Sequence, residues 1–285
     1  MTNKVLADRL EIIEGLPTLP LVLRQIQKVM NNERTGMAQI AAVVAKDQAL
    51  TSRAIRLVNS AWYGRTTRVT SIQQVLVTLG LGTLNTLMLG LTVTKMFNGP
   101  GTPDFDARAF WEHAFGTALL AKKLAGENGH VNDSEEYFVA GLLHDMGRLV
   151  FEQFYHEEFT EAIGMSRDNR LSLQSAEKQV FGFDHTETGA WLGGKWNIPR
   201  QLILAMEHHH RASLPPGLLP EEKEMIRIVA AANELCLAGG IGASGENAAQ
   251  TGTSYSRIGW SPETCRRLID QTLAEVALTI QQWSS

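Results

Sequence analysis

The sequence has few cysteines and no excess of either charge. Two cysteines, Cys236 and Cys265, occur in 285 residues, and neither belongs to a CxxC pair of the kind found in redox and zinc motifs. Such sparse cysteine use is typical of a reducing compartment. The formal net charge is −4, and the lysines and arginines are dispersed, so no basic surface is expected to attract nucleic acid.

The sequence also lacks an export signal. Residues Met1 to Arg9 contain no apolar run of the length that a signal peptide needs, so a cytoplasmic location is expected. The segment Thr70 to Thr94 has no charged residue and is long enough for a membrane span. Its glutamines, threonines, Gly80, Gly82 and Gly90 instead predict two packed helices broken near Gly80-Leu-Gly82. We therefore expect no membrane association.

Apolar residues recur at helical spacing and do not alternate as they do in strands. Thr35 and Asp47 are candidate N-caps for two of the predicted helices. No repeat, no GxGxxG motif and no phosphate-binding loop appears in the sequence. The pattern predicts an all-α fold, with apolar helical faces in three sets: Val22, Leu23, Ile26, Val29 and Met30; Met37, Ile40, Ala41 and Val44; and Leu50, Ala54, Leu57 and Val58.

Turn-forming residues in Asn98-Gly-Pro-Gly-Thr-Pro103 divide the chain. We expect an N-terminal helical bundle, residues 1–98, packed on a second helical domain, residues 104–285. Residues 239–256 are rich in glycine and predict a long surface loop of open function. Helix start signals in the second domain occur at three places: Ser134, Pro199 and Ser261-Pro262.

Histidines form an ordered array in the second domain. His144 and Asp145 are adjacent, and an imidazole beside a carboxylate can bind one divalent metal ion. Since neighbouring helical residues project about 100° apart, both reach one ion only near a helix end or where the site straddles the helix. Gly147 would then allow a close backbone approach. Further ligand candidates lie on both sides of the pair: His113, His185, His209 and His210.

Each candidate also has a structural interpretation that the sequence leaves open. His144 and Asp145 could hydrogen-bond to neighbouring helices, and His113 could be an ordinary core histidine. Asp184-His185-Thr186-Glu187 could be a helix cap alone. His208 is out of register with the other candidates, and we expect its side chain to be exposed.

The order of these residues resembles the HD superfamily of metal-dependent phosphohydrolases. The resemblance implies that His113, His144 and Asp145 are three ligands of a mononuclear site. The fourth position falls at Asn233, where the superfamily carries an aspartate. An amide oxygen brings no negative charge, so this difference predicts weaker metal binding and at most feeble hydrolysis.

Two-metal members of the superfamily have additional histidines, which correspond here to His185, His209 and His210. Arg148 stands where the HD-GYP phosphodiesterases carry a lysine, and no Gly-Tyr-Pro follows His210. The resemblance therefore argues against a cyclic-dinucleotide phosphodiesterase. A basic residue such as Arg148 beside the metal could hold a phosphate.

Further landmarks occur in order along the chain: Leu16-Pro-Thr-Leu-Pro20, Ala45-Lys-Asp-Gln-Ala-Leu50, Val58-Asn-Ser-Ala-Trp-Tyr-Gly64, Ser71-Ile72, Leu79-Gly80, Phe181-Gly-Phe-Asp-His185, Gly189-Ala190, Trp196-Asn-Ile-Pro199 and His209-His210. Through them the chain resembles the HDOD family, the HD-related output domain of bacterial signalling, over roughly residues 10 to 235. This resemblance implies an all-helical fold and a regulatory role, usually without demonstrated hydrolysis.

Three functions remain open at this point. We expect a stand-alone regulatory module that acts through signalling protein partners, because the ligand set is imperfect and the sequence leaves no room for a receiver, cyclase or DNA-binding module. The alternative is a metal-dependent phosphohydrolase acting on a nucleotide or another phosphoester. A receptor for a small phosphorylated ligand lies between the two. The expected cofactor is a divalent ion: Fe, Mn, Mg, Zn or Ni.

Overall fold

The described part of the chain is helical. A computed structural model describes residues 4–13, 16, 24–25, 37–59, 68–97, 102, 105–130, 134–243 and 259–283. No strand occurs among them, which confirms the all-α prediction. In chain order the helices are α1 (Lys4–Glu11), α2 (Met37–Val44), α3 (Gln48–Val58), α4 (Ile72–Met96), α5 (Ala107–Glu127), α6 (Ser134–Leu143), α7 (Met146–Phe154), α8 (His156–Asn169), α9 (Leu173–Phe181), α10 (His185–Lys195), α11 (Arg200–His208), α12 (Pro220–Ala238) and α13 (Pro262–Trp283).

The chain divides into two compact units, Pro17–Asn98 on one side and Met1–Leu16 with Gly99–Ser285 on the other. The sequence placed residues 1–98 together, whereas the structure groups α1 with the C-terminal unit. The reason lies in the packing of α1, which buries Leu6 and Leu10 and lies beside α10. Arg9 on the same helix extends over the ring of Tyr155, 4.7 Å from its centroid.

In the unit Pro17–Asn98, α2 and α3 both pack against α4. Asp47 caps α3 as predicted, because its Oδ1 accepts a hydrogen bond from the Leu50 backbone N–H at 2.9 Å. Ile40, Ala41 and Val44 of α2 are buried, and so are Leu50, Ala54 and Val58 of α3. The predicted helix near residues 22–30 lies outside the described residues except for residues 24–25, and Thr35, the predicted N-cap of α2, also lies outside them.

The uncharged segment forms α4, which breaks at Gly80 as predicted. Gly80 has φ 76° and ψ 172°, a backbone conformation that only glycine adopts at low cost. Ser71 caps the start of α4 by accepting from the Gln74 backbone N–H. None of the described helices combines the length and the apolarity that crossing a membrane requires.

The C-terminal unit surrounds α5, which packs against α6, α12 and α13. Helix α10 packs on α7 and α11, and α11 in turn packs on α6 and α12. Pro199 and Ser261 precede α11 and α13, as their start signals predicted. The expected loop at residues 239–256 lies mostly outside the described residues. This packing brings the ends of α6, α10 and α11 close to the middle of α5.

Candidate metal centre

Four segments of the chain carry the six histidine and aspartate ligand candidates. His113 lies in the middle of α5, and His144 with Asp145 forms the short connection between α6 and α7. His185 is the first residue of α10, and His209 and His210 follow α11. The adjacent pair therefore occupies a helix end, which is the arrangement that a shared ion requires. The structure brings all six side chains together.

Asp145 is the centre of this cluster. Its Oδ1 lies 3.2 Å from His185 Nε2 and 3.4 Å from His209 Nε2. Its Oδ2 lies 3.3 Å from His144 Nε2 and 3.9 Å from His113 Nε2. Two overlapping sets of donor atoms result, each with all its members within 4.8 Å of one another: Asp145 with His113 and His144, and Asp145 with His185, His209 and His210.

The imidazoles are oriented by groups behind them. His144 Nδ1 lies 2.7 Å from the Gly141 carbonyl oxygen, and His209 Nδ1 lies 2.9 Å from the Met206 carbonyl oxygen. A carbonyl oxygen only accepts, so each Nδ1 carries the proton and each Nε2 keeps its lone pair. Neither Nε2 has a hydrogen-bond partner among the described residues. These two buried lone pairs and the Asp145 carboxylate are donors of the kind that a divalent metal ion binds.

The spacing of the donor atoms also fits an ion. Two atoms each about 2.1 Å from a metal lie about 3.0 Å apart at a right angle and about 3.4 Å apart at the tetrahedral angle. The 3.2 and 3.4 Å separations from Asp145 Oδ1 to the two histidine nitrogens fall in this range. His210 Nε2 lies a further 3.2 Å from His185 Nε2. The residues present are therefore suited to a divalent ion.

Burial and charge act against each other at Asp145. Burial raises the pKa of its carboxyl, but the charge of Arg148 and a hydrogen bond from His185 hold that pKa well below its usual range. Burial lowers the pKa of His209 to about 4. Asp145 is thus ionised and His209 neutral at physiological pH, which are the forms that ligate metal.

The pKa of His185 is raised, in contrast to that of His209. Burial and Arg148 lower the pKa of His185, whereas the charge of Glu177 and the hydrogen bonds that the ring donates to Asp145 and Glu177 raise it more, to about 9. Glu177 Oε2 lies 2.6 Å from His185 Nδ1 and also accepts from the His185 backbone N–H at 2.9 Å. Glu177 therefore fixes the ring with Nε2 facing Asp145, and in the absence of metal the ring is protonated.

Glu177 was not among the predicted site residues. It is fully buried on α9, on the same face as Leu173, Ala176 and Phe181. Glu177 lies four positions after Leu173 and four positions before Phe181. An acid on an apolar helical face needs a buried partner, so this spacing could have identified Glu177 from the sequence.

Arg148 is also fully buried beside Asp145. Its Nη1 donates to Asp145 Oδ2 at 2.7 Å, and its Nε lies 3.5 Å from Glu177 Oε1. The guanidinium is thus directed at two carboxylates. Its expected contact with a phosphate stays a prediction.

Gly147 provides the close approach that the sequence suggested. A Cβ at this position would lie 2.0 Å from the His185 carbonyl oxygen and 2.9 Å from its Cα. Helices α7 and α10 can meet at this distance only because residue 147 has no side chain. The contact places Asp145, at the start of α7, within reach of His185.

Two further expectations concern Asn233 and His208. Asn233 is buried on α12, and its Oδ1 has no hydrogen-bond partner among the described residues. Its role as a ligand stays a prediction. The expected exposure of His208 was wrong: 4% of its surface is accessible. It lies in the last turn of α11, which α6, α10 and α12 enclose.

The cap that precedes α10 coexists with the cluster. Asp184 Oδ1 accepts from the backbone N–H groups of Thr186 and Glu187, and the Glu187 carboxylate accepts from the Asp184 backbone N–H. This is a complete capping box. Neighbouring residues thus have different roles: Asp184 caps the start of α10, and His185 faces Asp145 in the cluster.

Similar structures have the same fold. An HDOD domain protein of unknown function from Geobacter sulfurreducens has a TM-score of 0.77 and 23% identity, covering 97% of this chain and 96% of that one. A protein of Shewanella amazonensis SB2B, named as a proposed phosphohydrolase, has a TM-score of 0.72 and 23% identity, covering 97% and 98%. At these identities the likeness shows the fold alone.

Sequence comparison identifies the family. An uncharacterized protein of Treponema pallidum (strain Nichols) is 29% identical over 233 residues, which make up 81% of this chain and 44% of that protein. The chain thus spans less than half the length of the curated relative that it matches. The HDOD domain matches residues 16–212, about two thirds of the chain and most of the cluster. The protein belongs to the HDOD domain family.

Proposed function

We propose that this protein is a regulatory HDOD module whose buried His/Asp cluster holds a divalent metal ion as part of its structure or switching, and that it turns over phosphoesters poorly. The observation that carries the proposal is the arrangement around Asp145. Four imidazole nitrogens, from His113, His144, His185 and His209, lie 3.2 to 3.9 Å from its oxygens, while Arg148 already neutralises its charge.

The donor set narrows the choice of ion. Imidazole nitrogens suit Fe, Zn and Ni and are accepted by Mn, whereas Mg prefers oxygen ligands and keeps several waters. A cluster with one carboxylate and several histidines therefore favours a transition ion over Mg. When bound, such an ion would supply Lewis acidity and lower the pKa of a coordinated water.

Charge argues against efficient hydrolysis. Asn233 would contribute an uncharged amide where a carboxylate would stabilise the ion. The guanidinium of Arg148 is committed to Asp145 and Glu177, and a phosphate would have to compete with these two buried carboxylates for it. This supports a module that transmits a signal through protein partners or a small phosphorylated ligand rather than through turnover.

The second candidate function is a metal-dependent phosphohydrolase acting on a nucleotide or other phosphoester. The convergence of all six ligand candidates favours it, as does the name of the Shewanella protein of similar fold. In that case Arg148 would exchange a carboxylate for the phosphate of the substrate.

Metal analysis and an activity screen separate the two candidates. The purified full chain would be analysed for bound metal, then incubated with Fe²⁺, Mn²⁺, Mg²⁺, Zn²⁺ and Ni²⁺ in turn and assayed on phosphomonoesters, phosphodiesters and nucleotides. We expect a bound transition ion and turnover close to background. Robust metal-dependent turnover that Asp145→Ala or His144→Ala abolishes would establish the hydrolase instead. If no ion binds, the metal-holding role is wrong.

A further inference from the structure

The two oxygens of Asp145 have different surroundings, and from this we infer that the cluster takes one metal ion, not two. We propose that the ion binds Asp145 Oδ1 together with His185, His209 and His210, while Arg148 holds Oδ2 and acts as a built-in cation in place of a second ion. This inference rests on the proposed metal-holding role and adds the location and number of ions.

Oδ2 already has a cation. Arg148 Nη1 donates to it at 2.7 Å in a fully buried environment, and a guanidinium stays charged under all ordinary conditions. A divalent ion at the same oxygen would be repelled by this charge and would have to displace the hydrogen bond. Repulsion between buried charges is weakly screened. The other terminal nitrogen of Arg148, Nη2, lies 3.5 Å from His185 Nε2, which is a longer contact than the 2.7 Å hydrogen bond to Oδ2. The guanidinium therefore disfavours an ion at Oδ2 more than an ion at Oδ1.

The donors on the Oδ2 side are also the weaker set. His113 Nε2 lies 3.9 Å from Oδ2, wider than the spacing of about 3.4 Å that ligands of one tetrahedral ion adopt. The superfamily pattern assigns Asn233 as the last ligand of the mononuclear site, and its amide would add no charge. This side therefore offers an ion Oδ2, which Arg148 already contacts, with His144 Nε2 at 3.3 Å and His113 Nε2 at 3.9 Å.

The Oδ1 side has donor atoms from four residues, Asp145, His185, His209 and His210. Two of these histidines are oriented by outer hydrogen-bond partners. The three separations on this side, from Oδ1 to His185 and His209 and between His185 and His210, are 3.2, 3.4 and 3.2 Å. Glu177 accepts from His185 Nδ1, and the Met206 carbonyl accepts from His209 Nδ1. Such outer partners fix the ligand atoms and strengthen metal binding. A His₃–carboxylate site results.

The first test compares ligands on the two sides by titration of the metal-free full chain with Co²⁺, read by calorimetry and by the visible absorption of the ion. We expect one ion per chain. His210→Ala should weaken binding at least tenfold, the usual effect of losing a ligand or its support, and far more than Asn233→Ala does. His156→Ala removes a histidine outside the cluster and should leave the titration unchanged.

The second test concerns Arg148. Arg148→Met removes the charge while keeping most of the side-chain length, and we expect the folded variant to bind a second Co²⁺ ion, whereas Arg148→Lys should still bind one. Circular dichroism would verify folding. If Arg148→Met does not fold, the comparison of His210→Ala with Asn233→Ala decides the location by itself.

The outcomes are distinguishable. Two ions in the unmodified chain, or greater weakening by Asn233→Ala than by His210→Ala, would overturn this inference and leave the metal-holding role intact. A folded Arg148→Met variant that binds one ion would show that Arg148 does not replace an ion. An unmodified chain that binds no Co²⁺ would contradict the proposed function itself.

Discussion

The contact between Gly147 and the backbone of His185 makes Gly147→Ala a sharp test of how the cluster is assembled. A methyl group at residue 147 would lie 2.0 Å from the His185 carbonyl oxygen, whereas ordinary contact begins at 3.4 Å. The obstructing atoms are backbone atoms at the start of α10, so no side-chain rotation relieves the overlap. Helices α7 and α10 must separate by roughly 1 Å or more to accept the methyl group.

The expected cost follows from this displacement. Overpacking of a well-packed interior costs typically 1–3 kcal/mol when side chains can adjust, and more when backbone must move. We expect Gly147→Ala to lower the free energy of unfolding by about 3 kcal/mol. At roughly 2–4 °C per kcal/mol for a chain of this size, the melting temperature should fall by about 10 °C.

Thermal unfolding followed by circular dichroism would measure the effect, with Gly164→Ala as the matched control. A methyl group at Gly164, within α8, meets no atom within 4 Å, so that substitution should stabilise by about 0.5 kcal/mol through the higher helix propensity of alanine. Gly147→Ala should also weaken Co²⁺ binding, because Asp145 moves away from His185. If the two variants unfolded within 0.5 kcal/mol of each other, the close approach of α7 and α10 would be refuted.

Three further predictions concern buried polar groups. Glu177→Ala should lower the free energy of unfolding by about 3 kcal/mol, because it leaves buried charged partners uncompensated. Glu177→Gln should lower it less, since the amide oxygen still accepts from the His185 backbone N–H. Equal losses of the two variants in urea titrations would contradict this. Asp184→Ala should cost about 1–2 kcal/mol by removing the α10 cap. Because the pKa of Asp184 is lowered in the folded state, this difference should be present at neutral pH and shrink below about pH 4; a pH-independent difference would argue against an ionised cap. Cys236, whose pKa burial raises to about 12, and the buried Cys265 should react with a thiol reagent only after unfolding; fast labelling of the native chain would show that these sites open.

Local patterns in the sequence determined the elements of this fold. Asp47 caps α3 because a carboxylate beside a first helical turn meets unpaired N–H groups at once, whatever the rest of the chain does. Gly80 breaks α4 because its backbone conformation excludes most other residues. The order of the histidines around His144-Asp145 predicted a cluster through its resemblance to the HD superfamily.

Contacts between distant segments were decided by the tertiary structure alone. His208 is buried because three helices enclose α11, and nothing in its neighbours along the chain indicates this. Helix α1 belongs to the C-terminal unit because Leu6 and Leu10 are buried there.

The sequence also did not predict which charged groups of the cluster pair with one another. Arg148 appeared suited to a phosphate, yet its guanidinium meets Asp145 and Glu177. Glu177 is 32 residues from Asp145 in the sequence and reaches the site only because α9 and α10 fold back on α7. The sequence determined which residues could bind an ion, because ligand chemistry belongs to the residue type. Which charges offset one another depends on distances of a few ångströms between helices, and those exist only in the folded chain.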